Sequence, residues 1–129
     1  QQHRMNTVIH RFNNHSHLTM DYIQRNWGTL HANTCYICAS DRLAFGIEKG
    51  LSRFSANIPI DFGIIGFDGV FLNQVATPKI TTVQQPIFEL GLRCAEMLLA
   101  KIASGGQAQG VCQLVPTLSI AGSTRNNIV

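Results

Sequence analysis

Charge is scarce in this sequence, and long apolar runs are absent from it. Asp, Glu, Lys and Arg make up 13% of the 129 residues, and the ten basic side chains are scattered along the chain. A surface that binds DNA normally carries a basic stripe, so we do not expect this segment to contact nucleic acid. No apolar run is long enough to cross a bilayer, so no membrane partner is expected. The apolar share of 45% is that of a globular domain.

The first ten residues, QQHRMNTVIH, lack both an initiator Met and the apolar segment of a secretory signal. We therefore expect a cytoplasmic protein whose chain begins inside a longer one.

Enzyme motifs are also missing. The sequence contains no GxSxG elbow, no phosphate-binding loop, no HExxH and no GxGxxG. His15 and His17 form an HxH pair, but without a nearby Cys or Glu this is a weak metal signal. We therefore expect neither an enzyme nor a protein that depends on a cofactor or a metal.

Two of the four cysteines, Cys35 and Cys38, have the CxxC spacing used by metal and redox sites. They fall within TCYICA (34–39), an apolar run typical of a strand, where positions i and i+3 point to opposite faces. The two thiols could not easily share a metal or a disulfide in that geometry. The sequence therefore predicts buried, reduced cysteines.

Apolar periodicity divides the chain into strands that alternate with helices. Ser40 is placed to cap one helix, and Asp41 in its first turn suits the helix dipole. A longer helix is expected from Pro86 to about Ser104, and another over 17–30. The predicted strands are 6–12, 34–39, 62–67, 80–83, 111–115 and 117–122, with 34–39 and 62–67 buried on both faces. This alternation predicts an α/β fold with a parallel sheet.

Short polar side chains lie in three loops that each join a predicted strand to a helix, over 13–16, 40–41 and 68–73. In an open parallel sheet the carboxyl ends of the strands share one edge, and ligands bind there. Carboxylates and amides are suited to the vicinal hydroxyls of a neutral sugar. The topology therefore predicts a polar small-molecule site. Simpler roles stay open, because Ser40 and Asp41 could only cap a helix and Asp68 could only begin a turn with Gly69.

Four segments resemble the effector-binding domain of LacI/GalR-family transcription regulators, in the same order and at the same spacing. They are CASDRLAFG (38–46, similar to ANDxxAxG), IPIDFGIIGFDG (58–69, VPxDvsvvGFDD), TPKITTVQQPIFELG (77–91, TPxLTTVxQPxxxxG) and LVPTLSIAGST (114–124, lxPxLxxRxST). The resemblance implies a type I periplasmic-binding-protein-like fold, in which two hinged subdomains hold a sugar between them. The chain would then be a partial effector domain, mostly the C-terminal subdomain (1–79 and 111–125). Residues 80–110 would form a crossover strand and helix of the N-terminal subdomain.

The same resemblance implies ligand contacts. Asp68 matches the GFDD aspartate that bonds sugar hydroxyls, and Ser40 and Asp41 match the Asn and Asp of AND. Gln85 matches a glutamine near the cleft, and Phe12 and His15 are the nearest candidates for a residue that stacks on the sugar. Two departures are Gly69, in place of the second GFDD aspartate, and Ala121, in place of the final arginine.

In the family, the helix after AND and the loop after GFD lie at the interface of a homodimer. The residues at the matching positions are Leu43, Ile47, Leu51, Phe71 and Leu72. Apolar loop residues such as Phe71 and Leu72 are naturally explained by burial under a partner. Packing within the chain is the alternative.

The implied function is the effector-sensing and dimerising part of a sugar-responsive regulator, a repressor of carbohydrate-utilisation genes. Its operator DNA would be bound through a headpiece that this chain lacks. A sugar-binding component of a transport system with the same fold is the alternative, and an enzyme of the doubly wound class is disfavoured by the missing motifs.

Overall fold

A computed structural model describes residues 6–70 and 72–125 of the chain. The element order begins with α1 (Ser16–Asn26), a short 3-10 turn (Trp27–Thr29), β1 (Thr34–Ile37), α2 (Asp41–Ser52) and β2 (Phe62–Asp68). It continues with α3 (Leu72–Val75), β3 (Thr81–Gln84), α4 (Ile87–Ala103) and β4 (Thr117–Ser119). The strands form a single sheet in the order β1-β2-β3-β4, in which β4 is antiparallel to β3 and the other pairs are parallel. The predicted α/β fold with a mostly parallel sheet is confirmed.

Helix α2 begins where its sequence predicts. Ser40 accepts a hydrogen bond from the Leu43 amide over 3.3 Å, which satisfies one of the free donors of the first turn. One face of α2 packs on the sheet and the adjacent face packs against α1, and these two faces carry its buried residues. The core that results contains Ile23, Ala44, Ile47, Leu51, Phe62, Ile64, Ala76 and Ile80.

Two glycines allow α1 and α2 to approach closely. A Cβ on Gly46 would lie 2.0 Å from the Ser16 carbonyl oxygen, and one on Gly50 would lie 2.8 Å from the Ile23 Cβ. Thr19 adds a hydrogen bond across the contact, since its hydroxyl donates to the Leu43 carbonyl over 2.9 Å. This contact fixes the start of α2 relative to the segment that precedes α1.

Two predicted strands are wrong. Residues 6–12 form no strand, and Val8 and Ile9 are 74% and 82% exposed, because no described strand lies beside them to accept their backbone hydrogen bonds. Residues 111–115 also form no strand, with Val111 97% exposed. A short β-branched run is a strand only where a neighbour pairs with it.

The expectation of strands buried on both faces is also wrong. Along β1 half-buried residues alternate with exposed ones, and Ile37 is exposed. Ile65 and Phe67 of β2 lie on the same sheet face as Ile37, and that face is less covered because α2 packs on the other one. Of the two CxxC cysteines, Cys35 is exposed and Cys38 is half-buried, so the prediction of buried thiols fails for Cys35. Cys94 and Cys112 are exposed as well.

Strand β3 pairs in parallel with β2, so residues 81–84 are part of the sheet described here. Helix α4 differs from every other long helix, since none of its residues is buried. The assignment of residues 80–110 to an N-terminal subdomain stays a prediction.

Candidate functional site

A cleft of about 270 Å³ opens at the carboxyl ends of β1 and β2. Its lining residues are Asn14, Ser40, Arg42, Asp68, Val70 and Leu72. The lining therefore combines a carboxylate, a guanidinium, a hydroxyl and an amide with two aliphatic side chains. This is the edge of the sheet where the parallel topology predicts ligand binding.

Asp68 is the carboxylate of this cleft. It is the last residue of β2, it is half-buried, and its backbone φ is 108°, in the region that favours glycine. Gln85 donates from Nε2 to Asp68 Oδ1 over 2.7 Å, and within the described residues no other side chain bonds this carboxylate. Oδ2 is thus left to accept hydrogen bonds from a ligand.

Ser40 lines the cleft but already makes two hydrogen bonds. Its hydroxyl donates to Asn14 Oδ1 over 2.5 Å and accepts from the Leu43 amide. Only 5% of the residue is exposed. The predicted cap is confirmed, and the Asn14 amide group is the more accessible polar group of this pair.

Asp41 lies beneath the cleft and does not line it. The residue is 0% exposed, Oδ2 accepts from the Val70 amide over 2.7 Å, and Oδ1 accepts from the Thr82 hydroxyl over 2.6 Å. Both carboxylate oxygens are therefore committed within the protein. The expectation that Asp41 contacts the ligand is wrong for this reason.

The two candidates for stacking on a sugar lie elsewhere. Phe12 packs edge-on against Tyr22, with ring centroids 5.5 Å apart, and His10 joins the same aromatic group. His15 is exposed at the start of α1 and stacks on His17. Neither Phe12 nor His15 lines the cleft.

Arg42 is a lining residue that the sequence analysis missed. It is exposed, and no carboxylate of the described residues lies within 4 Å of it. Its only sequence signal is its place directly after Asp41, in the first turn of a helix that begins at a strand end.

The structure buries the residues that were predicted at a dimer interface to different extents. Ile47 and Leu51 are 3% and 0% exposed in the core of the chain itself, so the predicted contact with a partner is wrong for both. The reason is that this face of α2 packs on α1 and the sheet. Leu43 and Leu72 are half-buried, and Phe71 lies outside the described residues.

Residues 6–70 and 72–125 contain neither a candidate metal site nor a candidate membrane-spanning helix. No three His, Cys, Asp or Glu side chains of this part of the chain come together as a metal site would require. None of the helices in the same part combines the length and hydropathy of a transmembrane segment.

A mostly parallel sheet with a polar cleft at its carboxyl edge is the arrangement in which open α/β domains bind ligands. The model of the periplasmic binding protein-like domain family matches residues 2–124. The chain therefore belongs to that family, and the resemblance to LacI/GalR regulators is confirmed by similar proteins.

Two curated relatives are transcription regulators. The chain is 43% identical over 89 residues to the uncharacterized HTH-type regulator YvdE of Bacillus subtilis, which covers 69% of this chain and 28% of that protein. It is 35% identical over 92 residues to the HTH-type repressor CytR of Escherichia coli, covering 71% of this chain and 27% of that protein. The chain thus spans little more than a quarter of these relatives.

A solved structure is similar over a larger share of the chain. It is a LacI-family regulator from Enterococcus faecium with bound ribose, with a TM-score of 0.75 and 31% identity. The match covers 85% of this chain and 40% of that one.

Proposed function

We propose that this chain is the effector-sensing and dimerising part of a sugar-responsive DNA-binding regulator, a repressor of carbohydrate-utilisation genes. The observation that carries the proposal is that the half-buried residue Asp68 lines a cleft at the carboxyl edge of the sheet. Similar proteins support it, since two curated relatives are named HTH-type regulators and a similar structure holds ribose. The same names disfavour the alternative of a transport component.

Asp68 is suited to a sugar because one carboxylate oxygen can accept from two neighbouring hydroxyls. Gln85 holds the other oxygen and so keeps the carboxylate in one orientation. Asn14 supplies an accessible amide group in the same lining, and Val70 and Leu72 can pack on the apolar C–H faces of a sugar ring.

Dimerisation is assigned to the outer face of α2. Phe45 is half-buried there, and the Lys49 ammonium lies 5.1 Å from the centre of its ring. Val75, 46% exposed at the end of α3, adds apolar surface near this face. A partially exposed aromatic ring with neighbouring aliphatic side chains is typical of the centre of a subunit interface.

Operator recognition is assigned to a part of the regulator outside this chain. Both curated relatives are named for a helix-turn-helix and are far longer than the matched region, and the basic residues of this chain are scattered. We propose a cytoplasmic, non-enzymatic role, because a regulator acts where its DNA is.

The test is an amide chemical-shift titration of the isotope-labelled chain with ribose, glucose and maltose as probes. We expect at least one sugar to move the amide signals of Asn14, Ser40, Asp68 and Val70, with smaller changes along α4. If no sugar in this panel shifts the cleft amides, or if the shifts fall only along α4, the proposed effector site is wrong.

A further inference from the structure

The backbone at Asp68 is held in a conformation that aspartate rarely adopts. Its φ of 108° is followed by a φ of 74° at Gly69, so two successive residues have positive φ where the strand ends. Only glycine takes such angles without cost, so the surrounding structure must over-determine the conformation of Asp68. The source of that constraint decides where the cleft carboxylate points.

One constraint on the backbone around Asp68 comes from Asp41, which is buried beneath the cleft. Asp41 Oδ2 accepts the hydrogen bond of the Val70 amide over 2.7 Å, two residues after Asp68, and so fixes the chain directly beyond the strained turn. Asp41 Oδ1 accepts from the Thr82 hydroxyl over 2.6 Å, which fixes the same carboxylate to β3. A single buried side chain thereby joins the start of α2, the loop after β2 and the strand that leads into α4.

The sheet leaves room for this carboxylate at Gly66. A Cβ on Gly66 would lie 2.2 Å from Asp41 Oδ1, a distance that no side chain could tolerate. The space at Gly66 and the two hydrogen bonds therefore specify one position for the Asp41 side chain. Capping of α2 does not account for it, because Ser40 supplies the cap and the partners of Asp41 lie 29 and 41 residues away.

We propose that Asp41 is a positioning residue for the effector contact: by bonding the Val70 amide, it holds Asp68 in the strained backbone conformation that presents its carboxylate to the cleft. The inference rests on the proposed function of Asp68 as a ligand contact. Through Thr82, Asp41 also ties this turn to β3, the strand that Gln85 directly follows. Binding at Asp68 and the placement of the crossover toward α4 therefore share one buried carboxylate.

The test compares a variant that removes this carboxylate with a variant that removes only its bond to Thr82. Asp41→Ala removes both acceptors; an asparagine would not serve, because it could turn its oxygen to the Val70 amide and donate from its NH₂ to the Thr82 hydroxyl oxygen. Thr82→Val removes the Thr82 hydrogen bond and leaves the Val70 amide with its acceptor. Thermal unfolding of both variants sets conditions under which each is fully folded.

The first readout needs no ligand. We expect hydrogen exchange at the Val70 amide to be about tenfold faster in Asp41→Ala than in the wild type, and close to wild type in Thr82→Val. The second readout is affinity for ribose, glucose and maltose by calorimetry or chemical-shift titration. We expect about tenfold weaker binding in folded Asp41→Ala, and binding within about threefold of wild type in Thr82→Val.

A merely structural role predicts a different pattern, in which both variants lose stability and neither loses affinity once it is folded. That pattern, or unchanged Val70 exchange in Asp41→Ala, would overturn the proposal. If Asp41→Ala does not fold, Gly66→Ala takes its place, because its added Cβ displaces the same carboxylate without removing it. If the wild-type chain binds no sugar of the panel, the proposed function fails, while Val70 exchange still decides whether Asp41 holds the turn.

Discussion

Gln85 and Asp68 are joined twice, once through their side chains and once through their backbones. Gln85 Nε2 donates to Asp68 Oδ1 over 2.7 Å, and the Gln85 amide donates to the Asp68 carbonyl over 3.3 Å. Gln85 directly follows β3, and Asp68 ends β2, so the pair links the cleft to the segment that leads into α4. A ligand that bonds Asp68 would therefore be linked to the segment before α4 through Gln85, in addition to the link that Asp41 makes to Thr82.

Replacement of Gln85 by Ala removes the donor that orients the cleft carboxylate. A hydrogen bond to a charged group contributes about 1.5–3 kcal/mol, so we expect the affinity for the sugar effector to fall by roughly 10- to 100-fold. Gln107→Ala, an exposed position beyond α4, serves as the matched control. Equal affinities of the two variants in calorimetry would show that Gln85 does not orient Asp68.

Substitutions on the outer face of α2 should weaken association, whereas substitutions on its buried face should lower the free energy of unfolding. Phe45→Asp places a charge in the proposed interface, and we expect the sedimentation coefficient of the folded protein to fall toward that of a monomer. Leu51→Ala empties a buried site, and we expect a loss of about 2–5 kcal/mol of unfolding free energy, measured by denaturant titration, without dissociation of the folded dimer. A Phe45→Asp dimer as stable as the wild type would rule out this face.

Alanine substitutions at Gly46 and Gly91 should change the stability of the protein in opposite directions. An added Cβ at Gly46 meets the Ser16 carbonyl oxygen, and such overpacking costs typically about 1–3 kcal/mol or more. An added Cβ at Gly91, within the exposed helix α4, meets nothing within 4 Å, and alanine there should stabilise the helix by about 0.5–1 kcal/mol. Thermal unfolding of Gly46→Ala and Gly91→Ala measures both, and a stable Gly46→Ala would contradict the close contact of α1 with α2.

The cysteine thiols should differ in their rate of reaction with an alkylating reagent. Burial, with smaller contributions from Cys35 and Asp41, raises the pKa of the Cys38 thiol to about 12. The thiolate is the reactive form, so at pH 8 Cys38 should react with iodoacetamide far more slowly than the exposed Cys94 and Cys112. Its rate should rise only as the pH approaches the raised pKa. Mass spectrometry of tryptic peptides checks this, and labelling of Cys38 as fast as that of Cys94 would show that it is not buried.

Local signals in the sequence predicted most of the elements. Ser40 as a helix cap, the apolar face of α2, the β2 run and the long α4 all depend on residues within a few positions of one another, so they could be recognised without tertiary information. The strand predicted at 6–12 failed because pairing requires a neighbouring strand, which a local pattern does not reveal.

The site was harder to predict, because the sequence places two carboxylates at strand ends and does not say which one faces the ligand. Asp41 is buried by Gly66 and Thr82, far away in the sequence, whereas Asp68 opens onto the cleft. The same limit explains why Ile47 and Leu51 were predicted at an interface although they lie in the core of the chain. Periodicity shows that they share an apolar face, but not whether that face packs within the chain or on a partner.

The most direct test of the account is the affinity of Asp68→Asn for the sugar that shifts the cleft amides, measured by calorimetry beside Asp61→Asn. Both changes replace a carboxylate of the β2 region by an amide, but Asp61 lies at the opposite end of β2, where it bonds Asn57. We expect Asp68→Asn to bind roughly 10- to 100-fold more weakly than the wild type, because charged hydrogen bonds to sugar hydroxyls are lost. Asp61→Asn should bind as the wild type does. An Asp68→Asn variant with unchanged affinity would remove Asp68 from the site and contradict the account.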